Sequence, residues 1–459
     1  MLIQLFLRYP LLAILLHIGL GFLAKGMPEV IGGLYVGITG LAILEILATR
    51  DRDHLAAYNG LYLTGFEVLS RMSKSSLFWE FGKYSVIAVF GVASIIGTIR
   101  KQRPYVLLAY FALLLPGILV AAAYGGISEA RIRDLSSQYL SGPAALLAAG
   151  WYLFQRPFKK AQLAYLLRVG LLPSIAVLTF LFLGKSLSEI DFVGGSNFDA
   201  SGGFGPNQVS SALGWSIVLM LTGLLLGLSP TSYRLLDFAL LTMLVFRGLL
   251  TFSRGGMMGA FGALALAMGA LILLSGAYRA RMKKNVAKIV FSLVLLAVVA
   301  GIANDLTGNF LLYRYQGKST SEVILGRSIT EGEYLSGRQE IMESEWSAFA
   351  ENPLLGIGLG RGTLYREASM QTQRIASHTE FSRMLGEHGL LGVVALLCAF
   401  IYLPFQHFRQ LRSDPARLWM MTFFILSMFT LAHSGMRMAL PSVAFGLAFL
   451  WITETEEST

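Results

Sequence analysis

Apolar blocks of about 17–23 residues restrict the fold of this chain more than any other feature. A helix rises about 1.5 Å per residue, so each block is long enough to cross a hydrocarbon core of about 30 Å. Only 14% of the residues are charged, against about 25% in a typical soluble domain. The sequence therefore predicts an all-α, polytopic integral membrane protein.

Fourteen candidate membrane spans can be distinguished along the chain. They cover residues 3–23, 28–48, 54–71, 83–99, 105–124, 138–154, 162–184, 209–228, 234–252, 256–276, 289–305, 386–405, 418–434 and 438–452. The third span carries Glu67 and other polar residues, so twelve or thirteen spans also fit the pattern. We predict about 12–14 transmembrane helices.

The basic residues predict the orientation of these spans. Four clusters of Lys and Arg fall on one side, at residues 100–103, 156–160, 279–288 and 409–417. Short cytoplasmic loops are rich in Lys and Arg, so this side is predicted to be cytoplasmic. The longest loops, 185–208 and 306–385, then lie outside. The net charge of +10 is explained by the same loops and does not indicate a nucleic acid partner.

The outer loop 306–385 is too long for a simple connection, because structureless loops beyond about 12–15 residues are uncommon. Within it, "SGRQEIMESEWSAFAENP" predicts an amphipathic helix that begins near Ser336 and ends at Asn352-Pro353. The predicted apolar face of this helix consists of Ile341, Met342, Trp346 and Phe349. We expect a long, partly helical periplasmic loop.

His378 is a candidate general base. It lies in "RIASHTEFSRMLGEHGLLG", directly before an apolar span, where Ser377 or Thr379 would cap a helix. A neutral imidazole at this outer boundary suits proton abstraction, since the ordinary pKa of histidine is about 6.5. The structural alternative is a histidine that hydrogen-bonds a loop carbonyl.

Several arginines are candidates for binding an anion. Arg254, in "LLTFSRGGMMGAFG", suits a phosphate, and the glycines after it permit close approach of backbone or ligand. The alternative is an arginine that reaches lipid headgroups. Arg247 lies within the membrane, where a charge is costly and rarely idle. Arg338 begins the loop helix, and Arg361 lies in "NPLLGIGLGRG", which predicts a tight turn near a substrate.

Two further observations concern helix entry and metal binding. In "GGFGPNQVS", Pro206 and Asn207 suit the first turn of a helix, and Asn207 is also a candidate for substrate binding. The sequence has no His-Glu-x-x-His motif, its six histidines are scattered, and Cys398 is its single cysteine. We expect neither a metal site nor a cofactor.

The segments "TFSRGGMMG", "SGRQEIMESEWSAFAENPLLGIGLG" and "SHTEFSRMLGEHGLLG" resemble, in order and spacing, the shared region of the O-antigen ligase and polymerase superfamily. "GGFGPNQVSSALG" resembles the segment before that region. The resemblance divides the chain into N-terminal transmembrane helices at 1–193, a ligase-like catalytic region at 194–405, and C-terminal transmembrane helices at 406–459.

The resemblance implies a GT-C-like glycosyltransferase of lipopolysaccharide or cell-surface polysaccharide biosynthesis. Such an enzyme transfers a glycan from undecaprenyl diphosphate to a hydroxyl of a lipid or glycan acceptor, without a metal. Arg254 and Arg338 match the arginines assigned to the donor diphosphate, and His378 matches the histidine that activates the acceptor. The implied location is the bacterial inner membrane, surrounded by membrane lipid, with the active site facing the periplasm.

Two alternatives remain open. A polymerase of the same superfamily would use a second lipid-linked repeat unit as its acceptor. A solute transporter would use the intramembrane charges Glu67, Asp237 and Arg247 as its pathway.

Overall fold

The computed structural model describes residues 5–6, 8–97, 102–124, 128–192, 195–284, 286–317, 338–370 and 377–453. Within them the chain is almost entirely helical. The first helices are α1 (Pro10–Gly26), α2 (Pro28–Thr49), α3 (Leu55–Met72), α4 (Phe81–Ile96), α5 (Val106–Ala112), α6 (Pro116–Ala123), α7 (Glu129–Leu153) and α8 (Lys160–Phe182). Short 3-10 turns lie at Arg52–His54 and Leu187–Glu189.

The helices of the second half include those that lie in the long outer loop. They are α9 (Pro206–Leu225), α10 (Arg234–Leu250), α11 (Arg254–Leu274), α12 (Gly276–Lys284), α13 (Val286–Leu306), α14 (Phe310–Tyr315), α15 (Arg338–Glu351), α16 (Gly362–Met370), α17 (Glu380–Leu397), α18 (Leu403–Gln410), α19 (Asp414–His433) and α20 (Leu440–Ala448). A π-helical turn, Cys398–Tyr402, joins α17 to α18. Two short strands, β1 (Pro157–Lys159) and β2 (Trp451–Thr453), pair in parallel, which the sequence did not predict.

Each candidate span overlaps one of these helices, but the last, 438–452, contains only the nine-residue helix α20 and ends in β2. The fifth span is divided into α5 and α6 by a turn before Pro116, and the twelfth runs through α17, the π-helical turn and α18. Seven helical segments of the described residues are long and apolar enough to cross a membrane, and three shorter apolar helices accompany them. The protein is a multi-pass membrane protein, and the predicted all-α polytopic fold is confirmed.

Helix α3, the span that left the predicted number open, is enclosed by other helices. Every residue from Leu55 to Ser70 is buried, in contact with α2, α4, α8 and α20. Polar groups are tolerated there because they face protein partners and not lipid. Glu67 accepts hydrogen bonds from the side chain of Arg71 and the main chain of Ala439.

Helices α9 and α11 cross in close contact. A methyl group placed at Gly214 would lie 2.5 Å from the carbonyl oxygen of Gly256, and one placed at Gly256 would collide with the main chain of Ser210. Small residues at such crossings let membrane helices approach closely. The first turns of α9 and α11, which carry Asn207 and Arg254, are consequently neighbours.

The loops predicted to share a side of the membrane lie at the same end of the bundle. At the predicted cytoplasmic end, which we call the inner end, Arg156 after α7 pairs with Asp51 after α2 at 3.2 Å. At the predicted periplasmic end, the outer end, Arg71 of α3 bonds to Gln208 of α9 at 2.7 Å. These contacts agree with the alternation of spans deduced from the basic clusters.

Helix α15 has the predicted bounds, and its buried face coincides only in part with the predicted apolar face. Its buried residues are Ile341, Ser344, Glu345 and Ala348, which share one face at helical spacing. Of the predicted apolar face, Ile341 is buried, whereas Met342 and Trp346 are 51% and 61% exposed. Hydrophobicity alone does not reveal this arrangement, because Glu345 is turned inward by polar partners on α16 and α17.

Helix α17 is interrupted at Gly389, whose φ of 59° and ψ of −139° are not helical. Just before the break, the carbonyls of Gly386 and Glu387 accept hydrogen bonds from the main chain of Ile357 and Gly358, each at 3.0 Å. The Gly-rich turn after α15 is thus inserted against the break, and it supplies partners to main-chain groups where lipid cannot. At Gly356 this turn approaches the main chain of Glu387 and His388 in α17, while its approach to a substrate stays a prediction.

Candidate active site

Arg254 is the first residue of α11 and lies half-buried at the outer end. The serine before it donates a hydrogen bond to the side-chain oxygen of Asn207 at 2.7 Å. Arg314 donates to the carbonyl of Phe252 at 3.2 Å, which brings a second guanidinium to the same turn. Burial raises the pKa of Tyr315 to about 12, and the positive charges of Arg254 and Arg314 act to lower it. Two arginines and the positive end of a helix dipole thus form what we call the cationic corner.

The glycine after Arg254 brings α11 against its neighbours. A methyl group placed at Gly255 would collide with the imidazole of His433 at the end of α19. His433 in turn lies 3.0 Å from the hydroxyl of Ser211 on α9. The space left by this glycine is filled by a protein side chain, so three helices meet beside Arg254.

His378 lies directly before α17, as predicted. Thr379 is the N-cap residue, and its hydroxyl accepts a hydrogen bond from the N–H of Phe381 at 3.3 Å. On the other side, the guanidinium of Arg437 donates to the carbonyl of Ser377 at 3.0 Å. The main chain is fixed on both sides of His378, whose side chain is half-buried.

Residues 434–439, between α19 and α20, connect the two parts of the site, and we call them the bridging loop. His433 at one end of this loop contacts the start of α11. Arg437 within the loop holds the residue before His378. A methyl group placed at Gly435 would lie 3.5 Å from the carboxylate of Glu380, the first residue of α17. The bridging loop therefore joins the cationic corner to the segment that carries His378.

Arg71 links the bridging loop to the N-terminal helices. Its guanidinium donates to Gln208 at 2.7 Å, to the carbonyl of Arg437 at 3.0 Å, to Glu67 at 2.6 Å and to the carbonyl of Trp79 at 2.7 Å. Arg71, Gln208 and Arg437 were not predicted from the sequence as site residues. The sequence did contain one signal for Arg71: Glu67 and Arg71 are four residues apart, a spacing at which opposite charges pair on a helix.

Arg338 begins α15, as predicted, although its side chain lies outside the described residues. Helices α15 and α17 run in the same direction, because Glu345 bonds to Ser382 at 2.5 Å and the carbonyl of Pro353 bonds to Leu390. The start of α15 is therefore at the same end as His378. Burial raises the pKa of Glu345, and its hydrogen bond from Ser382 opposes that shift.

Arg361 lies away from the cationic corner, against α6. Its guanidinium donates to the carbonyl of Ala121 at 3.1 Å and is 5.1 Å from the ring centre of Tyr124. These contacts hold the Gly-rich turn to the N-terminal helices.

The intramembrane charges have structural partners. Asp237 accepts hydrogen bonds from the N–H and the hydroxyl of Thr231, at 3.0 and 2.7 Å, and so closes the inner loop before α10. Arg247 donates to the carbonyl of Leu181 near the end of α8 and lies 4.7 Å from the ring centre of Phe182. The last carbonyls of a helix lack helical partners, so this contact caps α8.

At the cationic corner, the groups available to an anion are the guanidinium groups of Arg254 and Arg314 and the N-terminus of α11. Across the part of the chain that the structure describes, no three His, Cys, Asp or Glu side chains are grouped so as to hold a metal ion. Guanidinium groups suit the oxygens of a diphosphate because they donate in a planar, often bidentate geometry.

The fold and this site define a multi-pass membrane protein with a charged site at one end of its helices. Residues 238–397 match the O-antigen ligase family. The match begins in α10, ends with α17, and contains Arg247, Arg254, Arg338, Arg361 and His378. It confirms the resemblance to the O-antigen ligase and polymerase superfamily, whose members are glycan-transferring enzymes of polysaccharide biosynthesis. No curated protein matches the chain.

Proposed function

We propose that the protein transfers a glycan from undecaprenyl diphosphate to an acceptor hydroxyl at the outer end of the bundle. The single observation that carries this proposal is that His433, the last residue of α19, contacts the start of α11 at Gly255, while Arg437 of the bridging loop that follows it holds the residue before His378. A site for a leaving diphosphate and a site for a base are thereby held by one short segment. The outer end would face the periplasm, with the protein in the bacterial inner membrane.

The cationic corner would bind the diphosphate. As the bond between the sugar and the phosphate breaks, negative charge increases on the phosphate oxygens. Arg254, the N-terminus of α11 and Arg338 would stabilise this charge, since fixed donors act without reorganisation during the reaction. Guanidinium groups remain charged at any physiological pH, so no metal ion is required for this step.

His378 would activate the acceptor. Its imidazole takes the proton of the acceptor hydroxyl while the oxygen forms a bond to the anomeric carbon of the donor sugar. The bond from that carbon to the phosphate oxygen breaks, and undecaprenyl diphosphate leaves with the electron pair. Such positioned base assistance typically contributes about 10²–10⁴-fold to the rate.

The direct test is a transfer assay with protein purified in lipid nanodiscs. The donor is an undecaprenyl-diphosphate-linked oligosaccharide, and the acceptors are a lipid A–core preparation and a second lipid-linked repeat unit. Transfer to either acceptor supports the proposal. If neither becomes glycosylated while the folded protein binds the donor, glycan transfer between these substrates is not its function.

The same assay separates a ligase from a polymerase. A ligase modifies the lipid A–core, whereas a polymerase lengthens the lipid-linked glycan. Both reactions share the donor chemistry described above, and the ligase is our first choice because the matched family is described as O-antigen ligase.

A further inference from the structure

A cavity of about 320 Å³ opens beside Arg71. It lies between α2, α3, α4 and the outer loops at 73–80 and 204. Its lining includes Ser70, Arg71, Lys74, Ser75, Phe78, Trp79 and Phe204. Its volume suits one or two sugar rings.

We infer that this cavity is a subsite for a pyranose unit of the glycan, with Trp79 as its stacking platform. The inference rests on the proposed transfer function and names a part of its substrate-binding surface that nothing above assigns. The sugar belongs either to the donor glycan or to the acceptor, and the same recognition chemistry serves both.

Aromatic side chains in the cavity provide a surface on which a sugar ring can stack. Trp79 is 49% exposed and Phe78 is 58% exposed, both at the mouth of the cavity. Phe204 approaches the indole from another side, with 6.1 Å between the ring centres. A pyranose presents a face of C–H groups, which pack against the electron-rich face of an aromatic ring.

Polar groups in the cavity provide hydrogen-bond partners for the sugar hydroxyls. The hydroxyls of Ser70 and Ser75 bond to each other at 2.7 Å, and both serines line the cavity. Lys74 is exposed, and its ammonium group has no hydrogen bond or ion pair to the described residues. Sugar hydroxyls both donate and accept, so they match hydroxyl oxygens and an ammonium group around an aromatic floor.

The aromatic ring of Trp79 is held in a fixed position. The guanidinium of Arg71 lies 4.2 Å from the indole ring centre and donates to the main-chain carbonyl of Trp79 at 2.7 Å. A tryptophan that only anchors the protein in the membrane interface requires no such support. Arg71 also donates to the carbonyl of Arg437, and the side chain of Arg437 donates to Ser377, the residue before His378. A sugar stacked on Trp79 would therefore lie near the reaction centre.

The first experiment measures transfer kinetics of Trp79→Ala in nanodiscs, with one substrate varied while the other is saturating. We expect KM to rise about three- to tenfold for the substrate whose sugar occupies the cavity, with little change in kcat, as loss of one stacking contact predicts. A rise in the donor KM assigns the cavity to the donor glycan, and a rise in the acceptor KM assigns it to the acceptor. Trp79→Phe should restore most of the affinity.

The matched control is Phe198→Ala. Phe198 is 61% exposed in an outer loop and does not line the cavity. The inference is overturned if Trp79→Ala leaves both KM values unchanged, or if Phe198→Ala has an equal effect.

A second experiment does not depend on transfer. Saturation-transfer difference NMR would record contacts of the nanodisc-embedded protein with soluble oligosaccharides of glucose, galactose, N-acetylglucosamine and glucuronic acid. Binding that is lost in Trp79→Ala and kept in Phe198→Ala supports a sugar subsite even if no transfer is detected. Transfer that proceeds normally in Trp79→Ala, without any oligosaccharide contact in the wild type, refutes the subsite and leaves the proposed function intact.

Discussion

The guanidinium of Arg437 donates to the carbonyl oxygen of Ser377 at 3.0 Å, one residue before His378. The carbonyl of Arg437 accepts in turn from Arg71. Arg437 is thus a positioning residue whose side chain fixes the segment that carries the imidazole. A displacement of about 1 Å at a reacting group can reduce a rate about 10²-fold. We expect Arg437→Ala to lower kcat about ten- to hundredfold, with a smaller change in either KM, measured in the transfer assay.

Two comparisons separate positioning from general stability. Arg437→Lys retains a donor at this place and should recover part of kcat. Arg412→Ala, an exposed arginine at the inner end, should leave kcat unchanged. Equal kcat in Arg437→Ala and the wild type would show that the bridging loop does not position His378.

Replacement of His378 tests the base itself. His378→Ala should lower kcat about 10²–10⁴-fold, because no base is left to take the proton from the acceptor hydroxyl. The wild-type rate should fall as acid protonates the imidazole, and the residual rate of the variant should lack this dependence. The measurement is kcat against pH, with Thr379→Ser as the control that keeps the helix cap. A variant with full activity at every pH would remove His378 from the mechanism.

Arg254 and Arg247 are seven residues apart, yet they should behave differently. Arg254→Ala should raise the donor KM and lower kcat, with Arg254→Lys intermediate because an ammonium group cannot reproduce the planar donor fork. Arg247→Ala should lower the free energy of unfolding by about 1–3 kcal/mol, since the carbonyl of Leu181 loses its side-chain donor. Thermal denaturation in detergent, combined with donor titration, distinguishes the two effects. A selective rise in donor KM in Arg247→Ala would place Arg247 in the binding site.

The sequence predicted the helices well and the site only in part. Span positions follow from local hydrophobicity, and His378 was placed correctly because a helix cap is also a local signal. The roles of Arg71, Arg437 and His433 depend on contacts between segments 60 to 366 positions apart, and no local pattern contains such information. Helix α15 shows the same limit, since its buried face is decided by the partners of Glu345 on other helices.

Transfer should proceed in the presence of EDTA. The charge that develops on the diphosphate would be neutralised by Arg254, Arg338 and the start of α11, which chelation does not affect. We expect kcat within about twofold of the untreated enzyme after exhaustive chelation, with a magnesium-dependent glycosyltransferase assayed in parallel to show that chelation is complete. Loss of activity that returns with added Mg²⁺ would contradict the metal-free mechanism.

A substitution at the break in α17 tests the fold next to the candidate site. Gly389 has a φ of 59°, and a methyl group there would lie 2.6 Å from the carbonyl oxygen of Pro353 and 2.7 Å from the main-chain nitrogen of Gly356. Gly389→Ala must therefore distort either α17 or the Gly-rich turn packed against it. The backbone conformation alone costs about 1–3 kcal/mol in a residue with a side chain, and the collisions add to this.

The control for this substitution is Gly301→Ala on α13, where a methyl group would meet no atom within 4 Å. Alanine favours a helix over glycine by about 1 kcal/mol, so Gly301→Ala should be neutral or slightly stabilising. Melting temperatures in detergent should fall for Gly389→Ala and not for Gly301→Ala. Transfer by Gly389→Ala should fall as well, because a shift of α17 also displaces its N-cap Thr379, the residue after His378. An unchanged melting temperature in Gly389→Ala would mean that α17 passes this position as a regular helix.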